Sequence, residues 1–550
     1  MRFSRREILK GMGAAGLTPL LLSGCASGGS ALPPLPELPD YEWNGPLGPP
    51  NLFEHSVASG DPGSDRVVIW TRVSQDTPEP VDVWWEMALD PEFERRTAYG
   101  TISTDASRDY TVKIDVEGLI WGRNYYYRFF ARGRQSPIGR TRLAPKGNQA
   151  SRLRFGVCAC ANYALGYFHA YRHLAERADL DAILHLGDYY YEYRTNSVGD
   201  DPVRPHEPPR ETVTLDDYRA RIGQYRRDPD LQELHRQTPF IVVWDDHETA
   251  NNSWMGGAEN HTPPDPDCEP PDPNCEPCDP EGEGEWADRV AAARQAFFEW
   301  IPIRDNPDQK LYRTLRYGDL ADIIMLDTRI EGREKQLGEL GFGPDDPDLP
   351  EQLLGPEQQA WLFDQLESST AKWRVLGNQV LMSLWKITPD TYGNDDQWQG
   401  YQARNDVVGF LRDNEISNVV VVTGDVHSSW AMDVTIDDGS YTETTRGAAV
   451  AVEFVAPGIS AASGINEGIA SLFAGEPHVR AYEYERRGYF ILDLRPGKAQ
   501  SDWYLLDGVG EGEGNQSFWA AWAVMDGESH LVEMSDPETD NGGAPELAPR

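Results

Sequence analysis

Several apolar stretches of the sequence are followed directly by residues able to bind metal ions or phosphate. In HLGDYYYEY (residues 185–193), Asp188 follows Gly187, and four tyrosines lie within the next five positions. The preceding LDAIL is apolar and predicts a buried strand that ends at Gly187. Five further apolar runs end in the same way, at Cys160, 245–248, 327–329, Asn378, and Asp425 with His427. Sheets of this kind place their sites just beyond the strand ends, so we expect these residues to share one site.

The residue types at these strand ends favour a metal centre. Six of them offer carboxylate oxygens or imidazole nitrogens, namely Asp188, Asp245, Asp246, Asp425, His247 and His427. Cys160 and Tyr191 add a thiolate and a phenolate if a strongly charged cation favours their deprotonated forms. Such a set suits trivalent iron better than magnesium. A carboxylate shared by two ions would build a two-metal site able to clamp a phosphoryl group during its displacement.

Composition sets limits on the function. The chain has 550 residues, and Asp and Glu outnumber Lys and Arg by 90 to 50, which gives a formal net charge of -40. Hydrophobic residues at 39% and aromatic residues at 11% exclude a disordered polymer. An acidic surface repels nucleic acid phosphates, so stable nucleic acid binding is not expected. The charge is compatible with calcium or another hard cation, and with a merely solvated acidic surface.

The first 25 residues predict export. SRREILK (residues 4–10) is a twin-arginine signal, which implies the twin-arginine translocase as a partner, and the apolar run after it is too short for a typical spanning helix. LLSGC (residues 21–25) is typical of a lipoprotein processing site, with Cys25 as the lipidated N-terminus. The alternative is ordinary cleavage nearby without a lipid. We expect a periplasmic or extracytoplasmic protein that reaches the membrane only through Cys25.

Changes in pattern along the chain predict its organisation. After the signal at 1–25, residues 26–50 are a Gly-, Ser- and Pro-rich tether. Residues 51–145 contain short alternating strands and predict an antiparallel β-sandwich. In residues 151–530 apolar strands alternate with helical segments, which predicts a catalytic α/β domain, and 531–550 is an acidic tail. An insertion at about 262–285 carries Cys268, Cys275 and Cys278, for which we favour a disulfide over a metal site.

The motifs, taken as a set, resemble a known family. GDYYY (residues 187–191) is similar to the GDxxY motif of purple acid phosphatases, which binds iron through aspartate and tyrosine. CACANY, HLGDYYYEY, WDDHETANNSW, LDTR, GNQ and TGDVHSS, in this order, closely resemble the motifs of PhoD-type alkaline phosphatases. The same family is also resembled by three further stretches. These are HSVASGDPGSDRVVIWTR in the predicted sandwich, and MGGAENH and FFEWIPIR on either side of the insertion. The resemblance covers roughly residues 50 to 510.

This resemblance implies a fold and an activity. The fold is α/β, with a four-layer metallophosphatase core of two packed mixed β-sheets flanked by helices, preceded by an N-terminal antiparallel β-sandwich. The activity is hydrolysis of small phosphate mono- and diesters by a metal-activated hydroxide at a site of Fe³⁺ and Ca²⁺. By motif, Cys160, Asp188, Tyr191 and His427 would hold iron. Asp188 would bridge to calcium, joined by Asp246 and Asp425, with Asp245 and Asn252 or Asn251 as further candidate ligands.

Three residues are predicted to act in catalysis. His247 would stabilise charge on the departing or an equatorial oxygen, Arg329 would grip a non-bridging phosphate oxygen, and Asn378 would donate a hydrogen bond. The alternatives are a core ion pair of Arg329 with Asp327 or another carboxylate, and a capping role for Asn378. We interpret Cys158 as a plain buried thiol. Four histidines lack a comparable setting and are not expected to bind metal: His55, His169, His173 and His185.

Two other functions fit the same residues. The first keeps the metals but acts on larger diesters, as a nuclease- or phospholipase-like phosphodiesterase. The second is a non-enzymatic, calcium-stabilised surface lipoprotein whose sandwich domain docks a partner. Visible absorption from a phenolate on ferric iron, together with ester hydrolysis, would distinguish the enzyme from the lipoprotein.

Overall fold

The computed structural model describes residues 38–75, 77–198, 202–264, 282–336, 350–388, 391–392, 397–436, 441–442, 448–465, 467–539 and 544–550. Within these ranges lie the helices α1–α7, with bounds His169–Ala175, Leu215–Tyr225, Pro229–Gln237, Trp286–Trp300, Gly355–Ser368, Gln402–Asp413 and Glu467–Ala474. Among these helices, none combines the length and the apolar composition that a transmembrane segment requires.

Two mixed sheets form the core. The first contains three parallel strands, β9 (Leu153–Cys158), β10 (Ala182–His185) and β11 (Phe240–Val242). The antiparallel strands β21–β24 extend it at one edge, with bounds Gly488–Arg495, Lys498–Leu506, Gln516–Met525 and Leu531–Met534. In register, Val157 lies beside Leu184, and Leu184 beside Ile241. The ends of β9, β10 and β11 therefore meet at one edge of this sheet.

The second sheet has seven strands in the order β12-β13-β14-β17-β19-β18-β20. Their bounds, in chain order, are Arg313–Tyr317, Ala321–Met325, Trp373–Asn378, Val419–Thr423, Ser429–Thr435, Ala449–Val455 and Val479–Glu483. Strands β13, β14, β17 and β19 are parallel. Every residue of β17 (VVVVT) is buried, as expected for a strand covered on both faces. A two-stranded hairpin, β15 (Lys386–Thr388) and β16 (Thr391–Tyr392), lies apart from it.

The two sheets pack face to face and helices cover their outer faces. Phe155 and Leu184 of the first sheet share one buried apolar cluster with Val422 and Phe454 of the second. Side chains of α1 to α4 pack on the first sheet, and those of α5 and α6 on the second. At α2 the local sequence fixes where the helix begins, because Thr214 and Asp217 form a capping box. The predicted four-layer α/β architecture is therefore confirmed.

The N-terminal strands form a sandwich that shares a sheet with the core. Strands β1 (Val57–Gly60), β2 (Arg66–Arg72) and β5 (Thr111–Glu117) face a second sheet of β3, β4 and β6–β8, with bounds Val81–Ala88, Arg96–Thr104, Asn124–Ala131, Arg134–Gln135 and Gly139–Arg142. All pairs within the sandwich are antiparallel. β1 also pairs in parallel with β11, where Gly60 lies beside Phe240. The ten-stranded first sheet therefore runs from the core into the sandwich.

The C-terminal residues are attached to the core at two places. β24 lies within the segment predicted as a tail and forms the edge of the first sheet. Further on, Arg236 of α3 donates to the carbonyls of Ala548 (3.1 Å) and Pro549 (2.8 Å). These contacts hold residues 548–549 near the junction of the core and the sandwich.

The described cysteines are the two at the end of β9. Cys158 and Cys160 are buried free thiols. Cys25, Cys268, Cys275 and Cys278 lie outside the described residues. The predicted lipid anchor and the predicted disulfide therefore stay predictions.

Candidate metal centre

The predicted ligands meet where parallel strands of both sheets end. Three sets of side chains place possible ligand atoms within 4.8 Å of one another: Cys160 with Asp188 and His427, Asp188 with Asp246 and His247, and Asp245 with Asp246 and Asp425. Asp188 belongs to the first two sets and Asp246 to the last two, so the three sets form one continuous cluster. This arrangement is what two neighbouring cations that share a carboxylate require.

Tyr191 joins the same cluster. Its hydroxyl lies 2.7 Å from Asp188 Oδ2 and 3.0 Å from His427 Nε2. His427 Nε2 is in turn 3.7 Å from Asp188 Oδ2, and its Nδ1 lies 2.8 Å from the carbonyl of Ala462. A hydrogen bond from Nδ1 to that carbonyl leaves Nε2 as the atom that faces the cluster. Tyr191, Asp188 and His427 thus point their oxygen and nitrogen atoms at one position.

Several buried carboxylate oxygens lack hydrogen-bond donors. Asp188 Oδ1, Asp245 Oδ2 and Asp246 Oδ1 are buried and accept no hydrogen bond from any residue that the structure describes. Each carboxylate accepts a hydrogen bond at its other oxygen, but a buried oxygen without a donor is costly unless a cation compensates it. The three oxygens belong to the set of Asp188, Asp246 and His247 and the set of Asp245, Asp246 and Asp425. Carboxylate oxygens are the ligands that hard cations prefer, so these residues fit such a cation.

The backbone at the cluster adopts positive φ angles, which residues other than glycine rarely adopt. Five predicted ligands have positive φ angles: Cys160 (62°), Asp188 (53°), Asn252 (50°), Asp425 (61°) and His427 (58°). Non-glycine residues with positive φ are uncommon and concentrate at functional sites, where the surrounding structure holds the strain. The sharp turns after β9, β10 and β17 therefore aim the side chains of Cys160, Asp188, Asp425 and His427 at the cluster instead of continuing the strands.

Gly187 allows two of these turns to approach each other. It has φ of 111°, and a Cβ built on it would lie 2.4 Å from Asp245 Cβ and 2.6 Å from Asp245 N. No larger residue fits between the turn after β10 and the turn after β11. This close contact brings Asp188 and Asp245 into one site.

Arg329 lies among the acidic ligands. Its Nε donates to Asp245 Oδ1, and its Nη2 lies 2.6 Å from Asp425 Oδ1 and 3.5 Å from Asp246 Oδ1. The side chain is fully buried. Of the predicted alternatives, these contacts favour an ion pair with carboxylates of the site. Asp327 instead accepts from the backbone N–H of Arg329 at 3.0 Å and so shapes the turn.

The hydrogen bonds of Asn378 join it to residues outside the cluster. Its amide nitrogen donates to the carbonyl of Val380 and to Thr423 Oγ1 (3.2 Å), and its amide oxygen accepts from the Trp398 indole (2.9 Å). The residue is fully buried. Because both ends of the amide are used inside the protein, these bonds favour a structural role for Asn378, and its catalytic role stays a prediction.

Asn252 lies beside Asp246 but turns its side chain away. Its backbone N–H donates to Asp246 Oδ2 at 2.6 Å, and its amide nitrogen donates to Glu259 at 2.7 Å. Asn251 donates to the same oxygen of Glu259 at 2.8 Å. The structure therefore assigns Asn252 a hydrogen bond to a ligand, while its own ligand role stays a prediction.

Burial and crowded negative charge set the pKa values of the cluster. Burial, followed by the charge of Asp188, raises the pKa of the Cys160 thiol and of the Tyr191 phenol well above their ordinary values. Burial opposes the charged form of His247, but Asp246 and Glu192 outweigh it and raise the pKa of that imidazole. Burial also raises the pKa of Asp245 in spite of Arg329. Only a strongly bound cation would favour thiolate and phenolate in such surroundings.

Comparison with known proteins identifies the family. A model described as PhoD-like phosphatase matches residues 155–503, and one for the PhoD-like phosphatase N-terminal domain matches residues 47–145. The chain belongs to the PhoD-like phosphatase family. It is 33% identical to alkaline phosphatase D of Bacillus subtilis (strain 168), over 98% of this chain and 91% of that protein. The predicted resemblance is confirmed.

Solved structures agree with this membership. A structure described as that of PhoD superposes with a TM-score of 0.79 at 32% identity, over 91% of this chain and 95% of the other. A purple acid phosphatase from yellow lupin (Lupinus luteus) seeds superposes with a TM-score of 0.54 at 12% identity, over 86% and 73%. The second likeness concerns the fold alone. Family membership makes the chain a metal-dependent phosphoric ester hydrolase, so the alternative of a non-enzymatic lipoprotein was wrong.

Two acidic residues of this site were missed in the sequence. Glu192 Oε2 lies 2.7 Å from His247 Nδ1, and Glu248 accepts the backbone N–H groups of Asp188 (3.1 Å), Tyr189 (2.6 Å) and Asp245 (2.7 Å). Both glutamates are fully buried. Each glutamate lies inside a motif at the end of an apolar run, HLGDYYYEY or DDHE. Because a glutamate is rarely buried without a partner, this position could have indicated a role in the site.

Proposed function

We propose that this PhoD-like phosphatase hydrolyses small phosphate mono- and diesters at a mixed site for Fe³⁺ and Ca²⁺. The observation that carries the proposal is the position of Asp188. It belongs to one set with Cys160 and His427, with the Tyr191 hydroxyl 2.7 Å away, and to a second set with Asp246. One carboxylate thus connects a soft, mixed-donor set with an oxygen-rich one.

Cys160, Asp188, Tyr191 and His427 would hold the iron. A set of thiolate, carboxylate, phenolate and imidazole ligands suits trivalent iron better than a cation that prefers oxygen ligands alone. Burial supports this, because it raises the pKa of the Cys160 thiol and of the Tyr191 phenol. Neither group would then become an anion unless a cation bound to it. The Ala462 carbonyl would fix the ring of His427 from behind.

The oxygen-rich set would hold calcium. Asp188, Asp246, Asp425 and Asp245 offer the carboxylate oxygens that calcium prefers. Calcium would also compensate the buried oxygens of Asp245 and Asp246 that have no donor among the described residues. Asn252 stays a further candidate ligand.

The side chains of the protein have separate tasks in this proposal. When bound, the two ions supply the positive charge that activates a water molecule and neutralises a phosphate oxygen. His247, held at Nδ1 by Glu192, presents Nε2 on the side of Asp246, 4.0 Å from its Oδ2, and gives a proton to the departing oxygen. Arg329 balances the charge of Asp245, Asp246 and Asp425, which replaces its predicted contact with phosphate.

Activity assays with controlled metal content test this function. Protein stripped by chelation should hydrolyse neither nitrophenyl phosphate nor bis-nitrophenyl phosphate, and iron with calcium should restore both activities. Restoration by magnesium alone would contradict the metal assignment. Activity on the diester without the monoester, extending to phospholipid or DNA, would instead favour the phospholipase- or nuclease-like alternative.

We also propose export by the twin-arginine translocase and anchoring through Cys25. The sequence SRREILK and the LLSGC site support it. Replacing Cys25 by serine should move the protein from the membrane fraction to the soluble extracytoplasmic fraction. An unchanged membrane fraction would exclude the lipid anchor.

A further inference from the structure

A chain of polar side chains leads from the candidate metal centre to helix α4. Glu192, which holds His247, accepts hydrogen bonds at Oε1 from the amide nitrogen of Asn260 (2.8 Å) and the backbone N–H of Asn251 (2.8 Å). The same nitrogen of Asn260 lies 3.0 Å from Glu211 Oε1. Glu211 Oε1 in turn accepts from Arg289 at 2.8 Å.

Asn260 separates two carboxylates. Its amide nitrogen carries two N–H groups, and Glu192 and Glu211 each accept one of them. Without these donors the two glutamates would face each other as like charges in a partly buried place, where repulsion is strong. The amide therefore holds Glu192 at a fixed position behind His247.

Arg289 fixes the other end of the chain. The residue is buried, and its guanidinium donates to Glu211, to Glu283 (2.9 Å) and to the Tyr218 hydroxyl (3.1 Å). Tyr218 donates to the carbonyl of Thr249 at 2.6 Å, two residues after His247. Arg289 thus supports both Glu192 and the turn that carries His247.

The same residues reach the base of the acidic insertion. Glu283 accepts from the backbone N–H of Thr262 at 3.0 Å, and its own N–H donates to the Thr262 carbonyl at 2.9 Å. Thr262 and Glu283 are described residues near the two ends of the insertion. The base of the insertion is therefore connected, through Arg289, Glu211 and Asn260, to Glu192.

We propose that Asn260, Glu211 and Arg289 are positioning residues that orient Glu192, and through it His247, for protonation of the leaving group. This inference rests on the role proposed for His247. Leaving groups differ in how much they need that proton, because a basic oxygen departs slowly unless it is protonated. A displaced His247 therefore slows esters with basic leaving groups most.

The test compares two substrates in the full-length, metal-loaded enzyme. In Asn260→Asp and Asn260→Ala, kcat for phenyl phosphate should fall about tenfold, because a small misplacement of an acting group has a large effect on rate. For nitrophenyl phosphate, whose leaving group is a weaker base, kcat should fall less than about twofold, with KM nearly unchanged. Arg289→Lys should give the same pattern in weaker form, since one ammonium replaces a three-way guanidinium contact.

Asn418→Asp is the matched control. Asn418 donates to Asp526 at 2.8 Å and is buried, but it precedes β17, at the opposite end of that strand from Asp425. The change places a new carboxylate beside an existing one away from the site and should leave the ratio of the two kcat values unchanged. The thermal midpoint of each variant reports any loss of folding separately.

His247→Gln, assayed in parallel, separates this inference from the proposed function. If His247→Gln shows the selective loss on phenyl phosphate and the Asn260 variants do not, the positioning role is overturned and the proposed function stands. If His247→Gln affects both substrates equally, the role of His247 and the inference fall together. Equal losses on both substrates in Asn260→Asp would also overturn the inference, because they indicate a general structural effect.

Discussion

At the scale of single residues, charge balance around Arg329 decides how the acidic part of the site is built. The guanidinium contacts Asp245, Asp246 and Asp425 in a fully buried place. Arg329 and the proposed cation would therefore neutralise the same carboxylates, and each should matter more when the other is absent.

Replacing Arg329 by glutamine tests this balance. In metal-free Arg329→Gln, the free energy of unfolding should fall by about 3 kcal/mol, because the buried carboxylates of Asp245 and Asp246 and the partly buried one of Asp425 lose their cation. Calcium should recover a large part of that loss. Chemical denaturation of the wild type and the variant, with and without calcium, measures both effects.

The matched control for this prediction is Arg226→Gln. Arg226 is also fully buried, and it contacts the Tyr189 hydroxyl and the His55 carbonyl and lies over the Trp70 ring. Calcium should not recover the stability lost in this variant. Equal recovery in both variants would show that calcium does not bind at the carboxylates of Arg329.

At the scale of elements, the site depends on the contact between the turns after β10 and β11. Glu248 accepts backbone N–H groups from both turns, and Gly187 leaves room for Asp245. Each turn carries predicted ligands, so the distance between the two turns sets the distance between the candidate metal positions.

Gly187→Ala should disrupt this contact. We expect a loss of about 3 kcal/mol in unfolding free energy, from the positive φ and from the clash with Asp245, together with loss of iron and activity. Gly118→Ala is the control, because Gly118 also has a positive φ (77°) but has no neighbour within 4 Å among the described atoms. It should cost about 1 kcal/mol and leave metal content unchanged. Full metal content in Gly187→Ala would contradict the account.

Sequence patterns predicted where the strands end, but they did not predict contacts between residues far apart in the chain. The apolar runs before Asp188 and Asp425 are local signals, and the structure places both residues in one cluster. The pairing of Gly60 with Phe240 joins residues far apart in the chain, so no local pattern could predict it. The same limit hid the link between Glu192 and His247 and the internal hydrogen bonds of Asn378, which lies at a strand end like the others.

At the scale of the whole molecule, buried neutral histidines make stability depend on acid pH. Burial lowers the pKa of His55 to about 2 and that of His185 and His206 to about 3, and it lowers that of His235 well below its ordinary value. In the unfolded chain these groups bind protons below about pH 6.5. At these four sites the unfolded state therefore binds more protons, so their contribution to stability is complete above pH 6.5 and falls as the pH drops toward 3.

His185→Phe should make this dependence shallower. His185 lies within β10 and stacks on Phe240, so a phenyl ring can occupy the place. Between pH 6 and pH 4, the slope of unfolding free energy against pH should decrease by about one proton, or about 1.4 kcal/mol per pH unit. Denaturation at several pH values measures it. His530→Phe, at a partly exposed position, controls for loss of any imidazole, and an unchanged slope in His185→Phe would contradict the prediction.

The most direct measurement of the central claim is the visible absorption spectrum of the metal-loaded protein, taken with its iron and calcium content. The wild type should contain about one iron per chain and absorb visible light through the Tyr191 phenolate, and Tyr191→Phe should lose the band and most of the activity. Tyr190→Phe, which removes a neighbouring hydroxyl bonded to the Glu248 carbonyl, should keep both. A colourless wild type with full metal content, or an unchanged band in Tyr191→Phe, would contradict the account.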